Sequence, residues 1–99
     1  MNFSVEYTES SKSDLKALDK SLLITVIKAI EKVSENPLPK SEGGYGNPLG
    51  KKRGINLAGL FKIKLLKVGI RIVYQLHRTD KIMKIIVIAT RADASRNGG

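Results

Sequence analysis

Lys62 and Lys64 stand two positions apart in the run Phe61-Lys62-Ile63-Lys64-Leu65, and Arg71 follows a glycine turn in Gly69-Ile70-Arg71-Ile72. On a β-strand, residues i and i+2 share one face, so the two ammonium groups point the same way, roughly 7 Å apart along the strand. A hairpin at Gly69 carries Arg71 onto the neighbouring strand, across from Leu65 or Leu66 and diagonal to Lys64. Arg91 ends a later strand and reaches towards the same region. Cations gathered without carboxylates repel one another unless an anion fills the gap. Repulsion also lowers a lysine pKa, so that one of them can lose its proton near neutral pH and act as a base. Arginine stays charged and forks onto a phosphate, where it stabilises the added negative charge of a pentavalent state. The set suits metal-free RNA cleavage. A base takes the proton of a 2′-hydroxyl, the oxygen attacks the adjacent phosphate, cations neutralise the phosphorane and an acid assists the leaving 5′-oxygen. The same alternation also describes a sheet face that is merely solvated, the commoner use of surface charge.

The charge is unevenly spread. Residues 51–99 hold twelve Lys and Arg against two acidic residues, Asp80 and Asp93, whereas residues 1–50 hold six Lys against seven acidic residues. The net +9 at pH 7 favours an acidic partner: nucleic acid, an anionic membrane face or an acidic protein. Ninety-nine residues, 41% of them hydrophobic, suffice for a single domain over 1–99 with one modest core. Within it, 43–59 reads as a flexible basic loop and 92–99 as a polar tail. The chain has no cysteine, which excludes disulfides and Cys-based zinc sites. His77 is its one imidazole, so His-rich metal clusters are excluded too, and neither a metal nor a cofactor is expected. Gly43-Gly44-Tyr45-Gly46 lacks the Lys-Ser/Thr of a phosphate-binding loop. Met1 to Glu6 reads as a strand rather than a signal segment. Apolar runs such as Ile85 to Ala89 are too short to span a bilayer, so the expectation is a soluble cytoplasmic protein that does not engage a membrane.

The elements that must position these cations follow from periodicity. Phe3, Val5 and Tyr7 alternate with polar residues, predicting a strand over about 2–7. Thr8 to Ser13 offers several helix N-caps, and a short helix carrying Leu15 and Leu18 follows. After a break at Asp19-Lys20-Ser21, Leu22, Leu23, Val26, Ile27, Ile30 and Val33 form the apolar stripe of a longer helix that ends near Ser34. Residues 37–59 contain all three prolines and six of the nine glycines, which predicts a long connection with a turn at Asn47-Pro48. Three strands complete the chain: Phe61 to Leu66, Ile70 to Leu76 and Ile82 to Thr90. The fold class is α+β in the order β-α-α-β-β-β, a helical hairpin packed on a mostly antiparallel four-stranded sheet. Tyr74 shares parity with Ile70, Ile72 and Leu76 and belongs to the core. His77, beside Arg78, reads as a partly exposed structural residue rather than a proton shuttle. Lys51, Lys52 and Arg53 could meet RNA phosphates or simply solvate a loop, and Lys67 and Arg96 extend the basic surface.

Several of these residues carry a family likeness. Phe61-Lys62-Ile63-Lys64-Leu65 with Gly69-Ile70-Arg71-Ile72-Val73-Tyr74-Gln75 resembles the core segment of RelE-type toxins of prokaryotic toxin–antitoxin systems. Asp14 to Asp19, Glu35-Asn36-Pro37 and Pro48-Leu49-Gly50 are similar to other segments of that RelE/ParE superfamily. The likeness spans residue 3 to about residue 91. It implies a RelE-like fold and a toxin of a type II system, a metal-independent endoribonuclease that cleaves mRNA in the ribosomal A site and so inhibits translation. It implies the ribosome, mRNA and a cognate RelB-like antitoxin as partners, with the free toxin a monomer and the antitoxin complex a hetero-oligomer. By position it assigns phosphate binding to Lys62, the general base to Lys64, transition-state stabilisation to Arg71 and action near the leaving oxygen to Arg91. The chain departs from the pattern in one respect. Relatives commonly carry a tyrosine a few residues after the arginine matching Arg91; here Ser95 or Asn97 takes that place and no aromatic follows Tyr74. Loss of a base-stacking contact, worth about 1–3 kcal/mol, implies weakened or absent cleavage, with Arg96 a partial substitute through its guanidinium plane. The alternatives are a ParE-like inhibitor of gyrase without RNase activity, and a catalytically dead relative that binds RNA or antitoxin.

Overall fold

The computed structural model describes residues 2–90 except 53, 54, 57 and 58, and of residues 51, 52, 55 and 56 it describes the backbone alone. Strand β1 (Ser4–Tyr7) runs through Thr8 into helix α1 (Glu9–Lys16), and Asp19 opens helix α2 (Lys20–Ser34). The Asp19 carboxylate accepts the Leu22 amide at 2.9 Å, which satisfies one of the orphan donors of the first turn and fixes the break between the helices. A 3-10 turn (Lys40–Glu42) and the two-residue strands β2 (Asn47–Pro48), β3 (Lys51–Lys52) and β4 (Ile55–Asn56) follow. Then come the three long strands β5 (Leu60–Leu65), β6 (Ile70–His77) and β7 (Ile82–Thr90).

The long strands form an antiparallel meander. β1 adds to β7 in parallel and β2 adds to the far edge of β5, giving the order β1-β7-β6-β5-β2. β3 and β4 pair as a separate ribbon. The α+β class with two helices on a mostly antiparallel sheet is as expected, but the sheet has five strands rather than four. Asn47-Pro48, expected as a turn, is the fifth. Proline is tolerated there because β2 is an edge that needs no amide donor on its outer side. The first helix is shorter than its leucines suggest: it stops at Lys16, and Leu18 packs on the core from beyond its end.

The core lies between α2 and one sheet face. Val26, Ile30 and Val33 meet Phe61, Ile63, Ile70, Ile72, Met83, Ile85 and Ile88, with Phe3 from the chain start. Alternation sends Phe61 and Ile63 inward and leaves Lys62 and Lys64 on the opposite face. Tyr74, fully buried, stacks on Phe61 with ring centroids 5.1 Å apart. Its hydroxyl donates to the Pro37 carbonyl at 2.9 Å, and burial pushes its phenol pKa well above the ordinary range. That bond ties the segment after α2 to the sheet. A Cβ on Gly46 would lie 2.6 Å from the Tyr74 hydroxyl and 2.7 Å from the Pro37 oxygen, so only glycine lets the backbone come this close. On the same loop Glu42 takes both guanidinium nitrogens of Arg78, at 2.8 and 2.7 Å.

β7 carries a bulge. Its pairing with β6 runs from Thr90 opposite Ile70 to Val87 opposite Val73, then shifts so that Ile85 faces Tyr74 and Ile86 is the extra residue. Both Ile85 and Ile88 can therefore point into the core. The displaced backbone is satisfied by α1 and its cap: the Thr8 hydroxyl donates to the Ile86 carbonyl at 3.0 Å, and the Asp14 carboxylate accepts the Ile88 amide at 2.9 Å.

Candidate functional site

The β5–β6 hairpin brings three of the expected residues together on the face away from the helices. Lys64 pairs directly with Arg71, and Lys62 pairs with Val73. Arg71 is thus opposite Lys64 rather than diagonal to it. Leu65 faces Ile70, and the chain reverses through residues 66–69, where Gly69 takes φ +67°. Side chains on directly paired residues start about 4.5–5.5 Å apart at Cβ, so two cations on such a pair interact unless other charge intervenes. On its other side Arg71 pairs with Ala89 of β7, and both residues line one cleft. Lys62 lies between Val73 and Asn47 of the edge strand and is partly covered; Lys64 and Arg71 are exposed.

The electrostatics follow from this register. Lys62 is held below the ordinary lysine range, first by the charge of Lys64, then by partial desolvation, by a close polar contact with Lys64 and by the charge of Arg71. Among the described residues no carboxylate enters that balance. A cleft of about 280 Å³ opens beside the cluster, lined by Lys64, Leu65, Leu66, Gly69, Ile70, Arg71, Ala89 and Thr90. Cationic at one side and mostly aliphatic elsewhere, it can take an anion on Lys64 and Arg71 and an apolar group against the remaining wall. Leu66 stands at its rim with 74% of its surface exposed.

The remaining expected residues are placed differently. Lys67 lies in the hairpin turn, exposed, where it borders a shallower groove reaching Thr25 of α2. Lys51 and Lys52 form β3, away from the five-stranded sheet. Arg53, Arg91 and Arg96 lie outside the described residues, although β7 delivers the chain to Thr90 at the cleft. His77 ends β6 partly buried, its Nε2 without a hydrogen-bond partner. Among the described residues no group of His, Cys, Asp and Glu could hold a metal ion, and no helix is long and apolar enough to cross a membrane. The cleft walls Leu65, Leu66, Ile70 and Ala89 were not legible in advance. The available signal was Leu66, an apolar residue inside an otherwise cationic turn.

No family model and no curated protein sequence matches the chain. Solved structures do. The intact RelBE toxin–antitoxin complex of Escherichia coli is similar at 22% identity and TM-score 0.69, covering 89% of this chain and 95% of that one. A RelBE toxin–antitoxin complex from Mycobacterium tuberculosis matches at 24% identity and TM-score 0.72, over 92% of this chain and 100% of that one. The isolated RelE toxin of E. coli matches at 20% identity and TM-score 0.69, over 96% and 97%. The chain has the RelE-type toxin fold.

Proposed function

We propose that this protein is the toxin of a type II toxin–antitoxin pair and acts as a metal-independent endoribonuclease on mRNA in the ribosomal A site. The observation that carries the reading is the direct pairing of Lys64 with Arg71 at the mouth of an open cleft, with Lys62 electrostatically coupled to both. A cation cluster with no carboxylate partner among the described residues is poised for an anion, and a scissile phosphate supplies one. Lys64, which lines the cleft, takes the 2′-hydroxyl proton; Lys62 holds and neutralises the phosphate. Arg71 stabilises the pentavalent state, and Arg91 neutralises charge developing on the leaving 5′-oxygen, which takes its proton from water. A RelB-like antitoxin would hold the toxin inactive. The basic surface that includes Lys67, with Lys51, Lys52, Arg53 and Arg96 from the rest of the basic half, would contact ribosomal RNA and mRNA.

The test is cleavage of mRNA on purified ribosomes, with mapped ends. Arg71→Ala, at an exposed strand position, should fold normally and lose on the order of 10²–10³-fold in rate. Undiminished cleavage by the folded variant removes Arg71 from the mechanism. Inhibition of DNA supercoiling without any RNA cleavage would instead assign the chain to gyrase.

A further inference from the structure

We propose that the aliphatic part of the cleft beside Lys64 and Arg71 is a nucleobase subsite, in which the base next to the scissile phosphate packs on Leu66 and Ala89 instead of on an aromatic ring. The inference rests on the function proposed above and adds to it the part of the substrate that the chain grips besides phosphate. Three observations carry it. The cleft holds about 280 Å³, at the small end of ligand sites and suited to one nucleotide rather than a large molecule. Its lining is chemically mixed: Lys64 and Arg71 are cationic, whereas Leu66 and Ala89 are aliphatic, and Ala89 pairs with Arg71 and so shares its sheet face. A nucleotide is mixed in the same way, with an anionic phosphate and a flat base whose faces are apolar enough to pack on aliphatic side chains. Finally, Leu66 keeps 74% of its surface in water although it borders this cleft. Among the described residues Leu66 is an uncovered apolar contact surface, and a base entering the cleft would cover it while its phosphate meets the cations.

The register explains why the space exists. Ala89 pairs with Arg71, and a larger side chain there would occupy the volume beside the guanidinium. The chain also has no aromatic residue after Tyr74, and Tyr74 itself is buried with its hydroxyl bonded to Pro37. Packing on aliphatic walls has no hydrogen-bond code. The subsite therefore discriminates by the area of the base, and favours a purine over a pyrimidine.

Titrations of the full chain with inorganic phosphate, 3′-AMP and 3′-UMP, followed by NMR on labelled protein, test this directly. Wild type should bind 3′-AMP about fivefold or more tightly than phosphate, with 3′-UMP between them. Ala89→Leu, which fills the cleft, should bring 3′-AMP down to the affinity of phosphate. Leu66→Ser, at a surface position where folding is not at risk, should narrow the difference in the same direction. Equal affinities for phosphate and 3′-AMP in the wild type would overturn the subsite while leaving the cationic cradle standing. An advantage for 3′-AMP that survives both variants would place the base elsewhere and overturn it as well. Failure of all three ligands to bind would overturn both the subsite and the nuclease reading.

Discussion

Lys62, with its pKa lowered by Lys64 and Arg71, disfavours the folded state while it carries its proton. Its folded-state pKa lies below the unfolded value, so the unfolded chain binds that proton more tightly. Below the folded value the penalty is constant; as pH climbs from there towards the ordinary lysine value of 10.5 the penalty is relieved and stability rises. Denaturation midpoints over that alkaline window at low salt should therefore climb more steeply in wild type than in Lys62→Gln. Parallel curves would mean that the cluster exerts no net repulsion. Chemistry separates the two lysines further. Arginine keeps charge but cannot give up its proton. Lys64→Arg should lose about 10²–10⁴-fold in cleavage, whereas Lys62→Arg should keep most of it; the reverse result would move the proton transfer to Lys62, whose pKa the cluster already lowers. The parity of Lys62 and Lys64 was plain in the sequence because Phe61, Ile63 and Leu65 alternate with them. Whether Arg71 met Lys64 or Leu65 was not, because the hairpin register depends on how residues 66–69 close, and Lys67-Val68-Gly69 is compatible with more than one loop.

At the level of elements, the informative case is β7. The run Ile85-Ile86-Val87-Ile88 has no polar alternation, so the sequence showed a strand but could not say which residues face the core. The bulge at Ile86 decides it, and α1 holds the bulge through Thr8 and Asp14. That contact also accounts for α1 itself, which has no apolar stripe and whose one fully buried residue is Ser11. Asp14→Ala removes the carboxylate that accepts the Ile88 amide and should cost about 1–3 kcal/mol. Because Ile88 precedes Ala89, the same change should loosen the cleft wall. Chemical denaturation gives the first quantity and amide exchange at Ile88 the second; protection unchanged from wild type would show that the bulge is held by strand pairing alone. β2, β3 and β4 escaped the sequence reading for a simpler reason. Two residues are too few to show a period, and Pro48 argued against a strand.

Across the whole molecule, one face is packed under helices and the other presents the cations of a chain with net charge +9. If the chain acts as proposed, its binding to ribosomes releases counterions, so affinity should fall linearly with salt on logarithmic axes. Charge-neutral substitutions of Lys62, Lys64 and Arg71 should each flatten that slope by about one unit; slopes equal to wild type would place the polyanion on another surface. The sheet order has its own consequence. β1 hydrogen-bonds to β7 in parallel, Ser4 beside Ile82 and Tyr7 beside Ile85. During translation β1 must therefore wait until β7 has been made before it finds its neighbour, and Ala89 reaches Arg71 only at that same stage. The cleft beside Arg71 thus gains the wall that Ala89 supplies only once β7 has paired.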